Sequence, residues 1–433
     1  MKQIAQRIFR ETLAAIDIRA AMARKLVREG SKIRAGSFLI DLNEFRKIIA
    51  IAFGKASLAM AEGLCAILPA EFLLEGILVA PVRPSQDLNG WKSFVGGHPL
   101  PNEASFAAGK AILDALARCD DRTLIFFLLS GGGSALVELP LDSGISLEDV
   151  RQLNQLLVTC GAPIEEINAV RKHLSAVKGG RLAAAAPRSQ KLTLAISDVP
   201  PGQESALASG PTLPDPTTVR DVERLVERYD LLKKFPLSIQ TLFDQHRVQE
   251  TPKENDPAFA RSHFELLLGA HDLLHAAHRA CEGAGYLCLC DHSTDNWPVA
   301  RAADLLLRLL DSHRAANPGR PVAVLADGEV SSPVTGNGVG GRNSAFALAC
   351  VKKINGKKIA VLSAGTDGVD GNSPAAGAAA DGETLSRARA AGLDPDQFMG
   401  NSDAYNFFAA LGDAIVTGPT GNNLRDLRIL LAG

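Results

Sequence analysis

The feature that most constrains the fold is a short apolar run that recurs along the chain and ends each time near glycine, serine or a charged residue. These runs, which are rich in β-branched residues, cover residues 47–53, 76–80, 123–129, 192–196, 286–290, 321–325 and 358–362. Segments of helical length, such as 103–118 and 147–160, separate them. A parallel strand needs a crossover connection and is buried on both faces, so this alternation predicts doubly wound α/β layers.

The length of the chain predicts two domains. A chain of 433 residues exceeds what one hydrophobic core usually supports. The polar segment 250–257 has no periodicity and is the predicted linker. The predicted domains are therefore residues 1–255 and 256–433. An amphipathic helix is predicted for the first segment, and a helix over 264–281 is predicted to open the second domain.

Composition and charge narrow the class of protein. The formal net charge of −2 gives no basic field that would attract nucleic acid or an anionic membrane. The beginning of the chain lacks the pattern of a signal peptide, and no apolar stretch approaches the roughly 18 residues that span a membrane. Seven cysteines without a regular framework fit reduced thiols. We therefore expect a cytoplasmic enzyme with a small-molecule substrate and no nucleic-acid or membrane partner.

The loops after the predicted strands carry the candidate chemistry, because ligands of open parallel sheets bind beyond the carboxyl ends of the strands. After residues 123–129 the chain reads Ser130, Gly131, Gly132, Gly133 and Ser134 and then resumes a helical pattern. Backbone N–H groups of such a turn can approach a phosphate or carboxylate at the helix N-terminus. The turn lacks the lysine of a Walker motif, and a tight connection between strand and helix is the alternative.

Two polar residues in the first half are candidates for phosphoryl transfer. Lys55 follows a strand directly, where an ammonium can neutralise charge that builds on a transferring phosphoryl group. An ordinary surface lysine is the alternative. Asp198 follows residues 192–196 and is placed to accept a hydroxyl proton or to hold Mg²⁺. A turn or N-cap role is the alternative for this aspartate.

Glycine-rich loops in the second half supply further candidates. Arg342 closes the glycine-rich segment 335–343 and can grip a carboxylate or phosphate through two parallel hydrogen bonds. Asp367 and Asp370 alternate with glycines and suit a hard cation or a nucleotide phosphate shell. Another acidic loop, Asp327-Gly328-Glu329, follows residues 321–325.

The histidines and cysteines near residue 280 predict no site. His271, His275 and His278 share one side of a predicted helix and fit a solvated or interfacial face better than a metal site. Cys288, Cys290 and His292 alternate along a predicted strand, and we interpret them as core residues.

Several long motifs together resemble one known family. They are GGHPLPNEAS (96–105), LLSGGGSAL (128–136), INAVRKHLSAVKGGRLA (167–183), SDVPPG with ASGPT (197–212), GVGGRN (338–343), GTDGVDGNSPAAGA (365–378) and GPTGNNLRDL (418–427). Together they resemble the glycerate 2-kinases that carry a MOFRL domain, some of which are labelled hydroxypyruvate reductases. The resemblance covers most of the chain.

The resemblance implies a fold and an activity. It implies a Rossmann-like N-terminal domain, a smaller C-terminal α/β domain and an interdomain cleft, with ATP and Mg²⁺ converting D-glycerate to 2-phosphoglycerate. Lys55 and Arg342 would stabilise the phosphoryl group, and Asp198 would orient or deprotonate the hydroxyl. The implied anion cradle is Ser130, Gly131, Gly132, Gly133 and Ser134, with positive charge from Arg171, Lys172 and Lys178. Structural salt bridges are the alternative for Lys172 and Lys178. Residues associated with nucleotide or metal would be Glu329, Asn343, Asp367, Asp370 and Asn401.

The sequence departs from the family pattern at two places and leaves other functions open. Gln203-Glu204 stands where a Gly-Asp pair is usual, and Asn422 replaces a threonine. A reductase of hydroxypyruvate is one alternative, although no Gly-x-Gly-x-x-Gly opens the first strand-to-helix turn. A non-catalytic protein that binds a sugar acid is another alternative. The hydroxyl that is phosphorylated, at position 2 or position 3 of glycerate, is also left open, as are a homodimer and the preferred hydroxy acid.

Overall fold

The computed structural model describes residues 1–69, 72, 74–84, 86–199 and 202–433, which form two compact units. The first unit is Ile18–Leu267, and the second unit joins Met1–Asp17 to Leu268–Gly433. The chain therefore passes between units at 17/18 and 267/268, not at the predicted boundary 255/256. The predicted linker 250–257 is part of the first unit, where Thr251 donates a hydrogen bond to Asp215 at 3.0 Å.

The helices and strands alternate over most of the chain. The helices are α1 (Lys2–Ala15), α2 (Ile18–Lys25), α3 (Ser57–Ile67), α4 (Glu103–Leu116), α5 (Gly133–Leu136), α6 (Leu147–Thr159), α7 (Ile164–Leu174), α8 (Arg181–Ala184), α9 (Val219–Arg228), α10 (Leu237–Asp244), α11 (Ala270–Gly283), α12 (Val299–Ala316), α13 (Arg342–Val351), α14 (Thr384–Ala390), α15 (Pro395–Gly400) and α16 (Ala404–Leu411). The strands are β1 (Leu26–Glu29), β2 (Lys32–Ala35), β3 (Phe38–Asp41), β4 (Lys47–Phe53), β5 (Leu74–Ala80), β6 (Trp91–Val95), β7 (Thr123–Ser130), β8 (Gln190–Ile196), β9 (Ser262–Leu268), β10 (Leu287–Asp291), β11 (Val322–Asp327), β12 (Ile359–Gly365), β13 (Gly377–Asp381), β14 (Ala414–Ile415) and β15 (Asp426–Ala432).

The main sheet of the first unit has the strand order of a Rossmann fold. The order is β6-β5-β4-β7-β8-β9, and the pairs from β6 through β8 are parallel. The chain runs outward from β4 through β5 to β6 and then returns to the other side of β4 with β7. The order of strands thus reverses between β4 and β7, which is where such sheets bind ligands. This confirms the Rossmann-like prediction.

Continuous apolar sequence explains why β4 and β7 lie in the centre of this sheet. Every residue of β7 is buried, and only the first residue of β4 is partly exposed. Ile51 and Phe127 pack with Ile112 of α4 and Leu136 of α5 in one apolar core. The helices α6, α7, α9 and α10 share a second apolar cluster in the same unit. The loops that follow β4 and β7 therefore begin at the most buried strands of the sheet.

The sheet of the second unit is mixed, which corrects the expectation of parallel strands there. Its order is β10-β11-β15-β12-β13-β14, with β10 and β11 parallel. Strand β15 lies between β11 and β12 and is antiparallel to both. The carboxyl ends of β11 and β12 therefore lie at the same edge as the amino end of β15. Polar residues at these three ends form the candidate site of this unit.

Two predicted helical segments differ from the structure. The first segment breaks into α1 and α2 and then enters β1, the first strand of a three-stranded antiparallel sheet with β2 and β3. The predicted helix over 264–281 is instead the end of β9 followed by α11. Helix α1 packs on α11 through a buried face that contains Ile8 and Phe9. Among the helices within the described ranges, none combines the length and the apolar character needed to cross a membrane.

Candidate active site

The candidate site of the first unit lies where the loops after β4 and β7 meet. The Lys55 backbone N–H donates to the Gly131 carbonyl at 2.9 Å, and the Ala56 N–H donates to Ser130 Oγ at 2.9 Å. Gly54 has a φ of +124°. A Cβ at this position would overlap Ser130 Oγ and lie 2.5 Å from the Ser130 carbonyl oxygen. Glycine is therefore required for the two loops to approach each other.

The glycine turn is tight, and the helix that follows it is very short. Gly132 adopts the left-handed conformation with φ +80°, and α5 that follows has only four residues. A helix of one turn has little macrodipole, so any anion affinity of this turn depends on its backbone N–H groups and its neighbours. Ser134 Oγ lies 2.8 Å from Ser209 Oγ, which ties the turn to the segment 197–212.

His98 lies beside the glycine turn and was not among the predicted site residues. A Cβ at Gly132 would lie 3.1 Å from His98 Cδ2 and 3.4 Å from Lys55 Cγ. The ring of His98 and the stem of Lys55 therefore both lie against this glycine. The motif GGHPLPNEAS contained the only sequence signal for this histidine.

Asp198 is half-buried and directly follows β8, as the sequence indicated. The preceding residue, Ser197, accepts a hydrogen bond from the Val199 N–H at 3.3 Å. The next two residues of the motif, Pro200 and Pro201, lie outside the described residues. Glu204, one of the two residues that depart from the family pattern, accepts a hydrogen bond from the Gly202 N–H at 3.0 Å. In this position Glu204 shapes the loop.

Of the three basic residues predicted near the anion cradle, two form buried ion pairs. Lys172 Nζ lies 3.2 Å from Asp215 Oδ1, and Lys178 pairs with Glu138. Burial lowers the pKa of Lys178, and the adjacent Glu138 opposes that effect. Burial also lowers the pKa of Arg171, which lies near the same glutamate. These ion pairs favour a structural salt bridge over anion binding for both Lys172 and Lys178.

In the second unit, Arg342 begins α13 and is held by two carboxylates. Its Nε donates to Asp426 Oδ2 at 2.5 Å, and its Nη2 lies 2.8 Å from Glu329 Oε1. Burial alone would lower the pKa of Arg342, but Asp426 and Glu329 raise it above its ordinary value. Asp426 is the first residue of β15 and faces Gly365, the last residue of β12. The mixed sheet thus brings the arginine and its main counterion together.

A second arginine network lies at the same edge of the sheet. Arg425 pairs with Asp295 and, at 3.1 Å, with Asp327 Oδ2. Asp327 is buried at the end of β11, and its Oδ1 lies 2.8 Å from His292 Nδ1. His292 is exposed, which corrects its interpretation as a core residue. No sequence signal indicated these pairs, because the residues come from three separate segments, around 292–295, 327 and 425.

Three of the residues predicted to associate with nucleotide or metal hold the local structure together. Asp370 is buried and accepts hydrogen bonds from the N–H groups of Asn343 and Ser344, at 2.9 and 2.8 Å. Burial raises its pKa despite these bonds. Asn343 Oδ1 accepts from Ser363 Oγ at 2.6 Å. Asn401 accepts from the N–H groups of the glycine-rich loop through its side chain and its carbonyl. The carboxylate of Asp370 thus occupies the N-terminus of α13.

Glu329 and Asp367 are two of the accessible carboxylates of this edge. Both are half-buried, and Asp367 accepts a hydrogen bond from the Val369 N–H at 3.0 Å. Asn422, the other departure from the family pattern, is buried and donates from Nδ2 to the Ile16 carbonyl at 2.9 Å. This contact joins the segment after β14 to the end of α1, so the substitution is accommodated inside the second unit.

The carboxylates of the described ranges are not grouped as an all-protein metal site. Within those ranges no group of three or more His, Cys, Asp or Glu residues could hold a metal ion. Magnesium in kinases, however, is usually held by one or two carboxylates together with phosphate oxygens and water. Glu329 and Asp367, which are half-buried carboxylates of the second unit, are residues of the type that binds Mg²⁺ in this way.

Comparisons with known proteins cover nearly the whole chain. Residues 4–244 match a domain of unknown function, DUF4147, and residues 322–426 match the MOFRL family. A glycerate 2-kinase of Pyrococcus horikoshii is 34% identical in an alignment of 425 positions, which covers 96% of this chain and 94% of that protein. A putative hydroxypyruvate reductase of Agrobacterium vitis is 34% identical in an alignment of 439 positions, which covers 100% of this chain and 94% of that protein. A solved structure of glycerate kinase from Thermotoga maritima superposes with a TM-score of 0.85 at 31% identity, covering 100% of this chain and 99% of that one.

Proposed function

Because the chain belongs to the glycerate 2-kinase family with a MOFRL domain, we propose that it transfers the γ-phosphoryl group of ATP to D-glycerate and forms 2-phosphoglycerate. The observation that carries the proposal is the pair of loops at the switch point of the first unit, where Lys55 is fixed against the glycine turn. A cation held beside a turn of small residues suits the binding of an anionic group.

The proposed reaction assigns a role to each accessible polar group. The glycerate hydroxyl oxygen attacks the γ-phosphorus, the bond to the bridging oxygen of ADP breaks, and the hydroxyl proton passes to Asp198. Lys55 and Arg342 are each proposed to stabilise negative charge that develops on phosphate groups of the reactants. The N–H groups of residues 130–134 would bind the substrate carboxylate or a phosphate.

Magnesium is part of the proposal. When bound, Mg²⁺ would neutralise phosphate charge, and Glu329 and Asp367 of the second unit are the carboxylates that would hold it. The surroundings of Arg342 support a need for Mg²⁺. Glu329 and Asp426 already balance the charge of the arginine, so a further cation would be needed to neutralise the phosphates. We also propose a cytoplasmic location, which is consistent with the seven free cysteines.

Coupled release of ADP tests the kinase proposal directly. We expect turnover that requires both glycerate and a divalent cation, and Lys55→Ala should lower kcat by orders of magnitude without changing the melting temperature. Lys110→Ala is a matched control, because Lys110 is an exposed lysine on α4 of the same unit. Full activity of Lys55→Ala would remove this lysine from the mechanism, and phosphorus NMR of the product identifies the hydroxyl that is phosphorylated.

Reduction of hydroxypyruvate is the second candidate, and it is favoured by the name of the relative from Agrobacterium vitis. The turn after β4 reads Gly54-Lys55-Ala56-Ser57 and lacks the glycine pattern with which Rossmann folds usually bind a dinucleotide. Oxidation of NADH by hydroxypyruvate in the absence of ATP would favour the reductase over the kinase.

A further inference from the structure

One histidine at the sheet edge of the second unit has no role in the proposed reaction so far. His292 follows β10, its side chain is 60% exposed, and its Nδ1 lies 2.8 Å from Asp327 Oδ1. The side chain of Asp327 is only 1% exposed. A buried carboxylate therefore fixes one ring nitrogen, and the ring is oriented with Nε2 as its other polar atom.

The same carboxylate is part of a chain of ion pairs that extends to Arg342. Asp327 pairs with Arg425, Arg425 pairs with Asp295, and Asp295 Oδ1 accepts a hydrogen bond from the Glu329 N–H at 2.7 Å. The Glu329 carboxylate in turn contacts Arg342. His292 and Arg342 thus stand at the two ends of one connected network.

The cations of this network differ in what they can reach. Arg425 is 6% exposed and is directed at Asp295 and Asp327. Arg428 is fully buried and donates to the carbonyls of Asp327 and Gly328. Of the cationic side chains described in this network, His292 and Arg342 are therefore the ones that solvent and a ligand can reach.

We propose that His292 binds a phosphate oxygen of the nucleoside di- or triphosphate through Nε2, and that Asp327 is its positioning residue. With both ring nitrogens protonated, Nδ1–H donates to Asp327 and Nε2–H donates to the phosphate. The inference rests on the proposed function only in taking an adenine nucleotide as the cosubstrate.

Titration calorimetry of the full chain with ADP and Mg²⁺, at a pH near 6.5, tests the proposal without requiring turnover. His292→Asn keeps an amide near the position of Nδ1 for Asp327 but has no donor at the position of Nε2. We expect His292→Asn to bind ADP about 10- to 100-fold more weakly than wild type, because one hydrogen bond to a charged group is lost. His292→Gln, which reaches further, should recover part of this affinity, and adenosine should bind wild type and variants equally.

His275→Asn is the matched control, because His275 is an exposed histidine on α11 outside this network. Unchanged ADP affinity of His292→Asn would overturn the proposal and leave His292 only a structural contact with Asp327. A fall in kcat with unchanged ADP affinity would also overturn it, by pointing to proton transfer instead. If wild type binds ADP in a manner that depends on His292 but does not phosphorylate glycerate, the kinase proposal fails and this one stands.

Discussion

Asparagine at position 426 would remove the charge that holds the Arg342 guanidinium and would leave the side-chain volume nearly unchanged. The carboxylate of Asp426 accepts from Arg342 Nε at 2.5 Å and from Nη2 at 3.4 Å. Its side chain is 4% exposed, so solvent screens the interaction little. A hydrogen bond to a charged group contributes about 1.5 to 3 kcal/mol, and the longer contact adds less. We take about 2 to 3 kcal/mol as the loss for Asp426→Asn.

If Arg342 stabilises the transferring phosphoryl group, this loss should appear in catalysis. A rise of about 2 to 3 kcal/mol in the barrier lowers kcat/KM by about 30- to 150-fold. Arg342 keeps its contact with Glu329 in the variant and is partly exposed, so it is not left as an unpaired buried charge. We therefore expect a much smaller effect on folding than on turnover.

The assay is coupled ADP release with glycerate, run in parallel with thermal unfolding of the same samples. Asp396→Asn is the control, because Asp396 forms an exposed ion pair with Lys352 in the same unit and such pairs contribute little. A kcat/KM within twofold of wild type for Asp426→Asn would refute the reasoning. A loss of activity that is matched by a large fall in melting temperature would assign Asp426 to the fold instead.

Two further predictions concern the first unit. Gly54→Ala should lower both kcat and the melting temperature, because its Cβ would overlap Ser130, whereas Gly161→Ala, with a similar positive φ but open space, should affect stability alone. Lys191 is buried, and burial lowers its pKa to about 8 from an unfolded value of 10.5. The unfolded state then binds more protons between these two values, so stability should rise with pH across that window. Urea unfolding at several pH values measures the free energy of unfolding of wild type and of Lys191→Met. The difference between the two should change by about 2 kcal/mol in favour of wild type from roughly pH 7.5 to roughly pH 9.5. A difference that does not change with pH would contradict the shifted pKa.

The fold of the first unit followed from the sequence because its strands are buried on both faces. Strands such as β4 and β7 read as unbroken apolar runs between helices, and that pattern is specific for a covered parallel sheet. The second unit was harder to predict. Strand β15 is also apolar, but nothing local indicates that it lies between β11 and β12 and runs against both.

The positions of the loops of the candidate site could be predicted from the sequence better than the partners of its side chains. Gly54 and the glycine turn stand directly after strands, so their position follows from the strand order. Side-chain partners could not be predicted in the same way. Arg342 lies 84 positions from Asp426, and His292 lies 35 positions from Asp327. Pairs so distant in sequence meet only through the arrangement of the sheet, which is why the sequence suggested the arginine but not its counterion.

The place of β15 in the second sheet has a consequence for how the protein is made. A ribosome produces β10 through β14 before β15, yet β11 and β12 are joined in one sheet only through β15, which pairs with both. Between the synthesis of β12 and that of β15, the nascent chain therefore carries apolar strand edges that a chaperone would recognise.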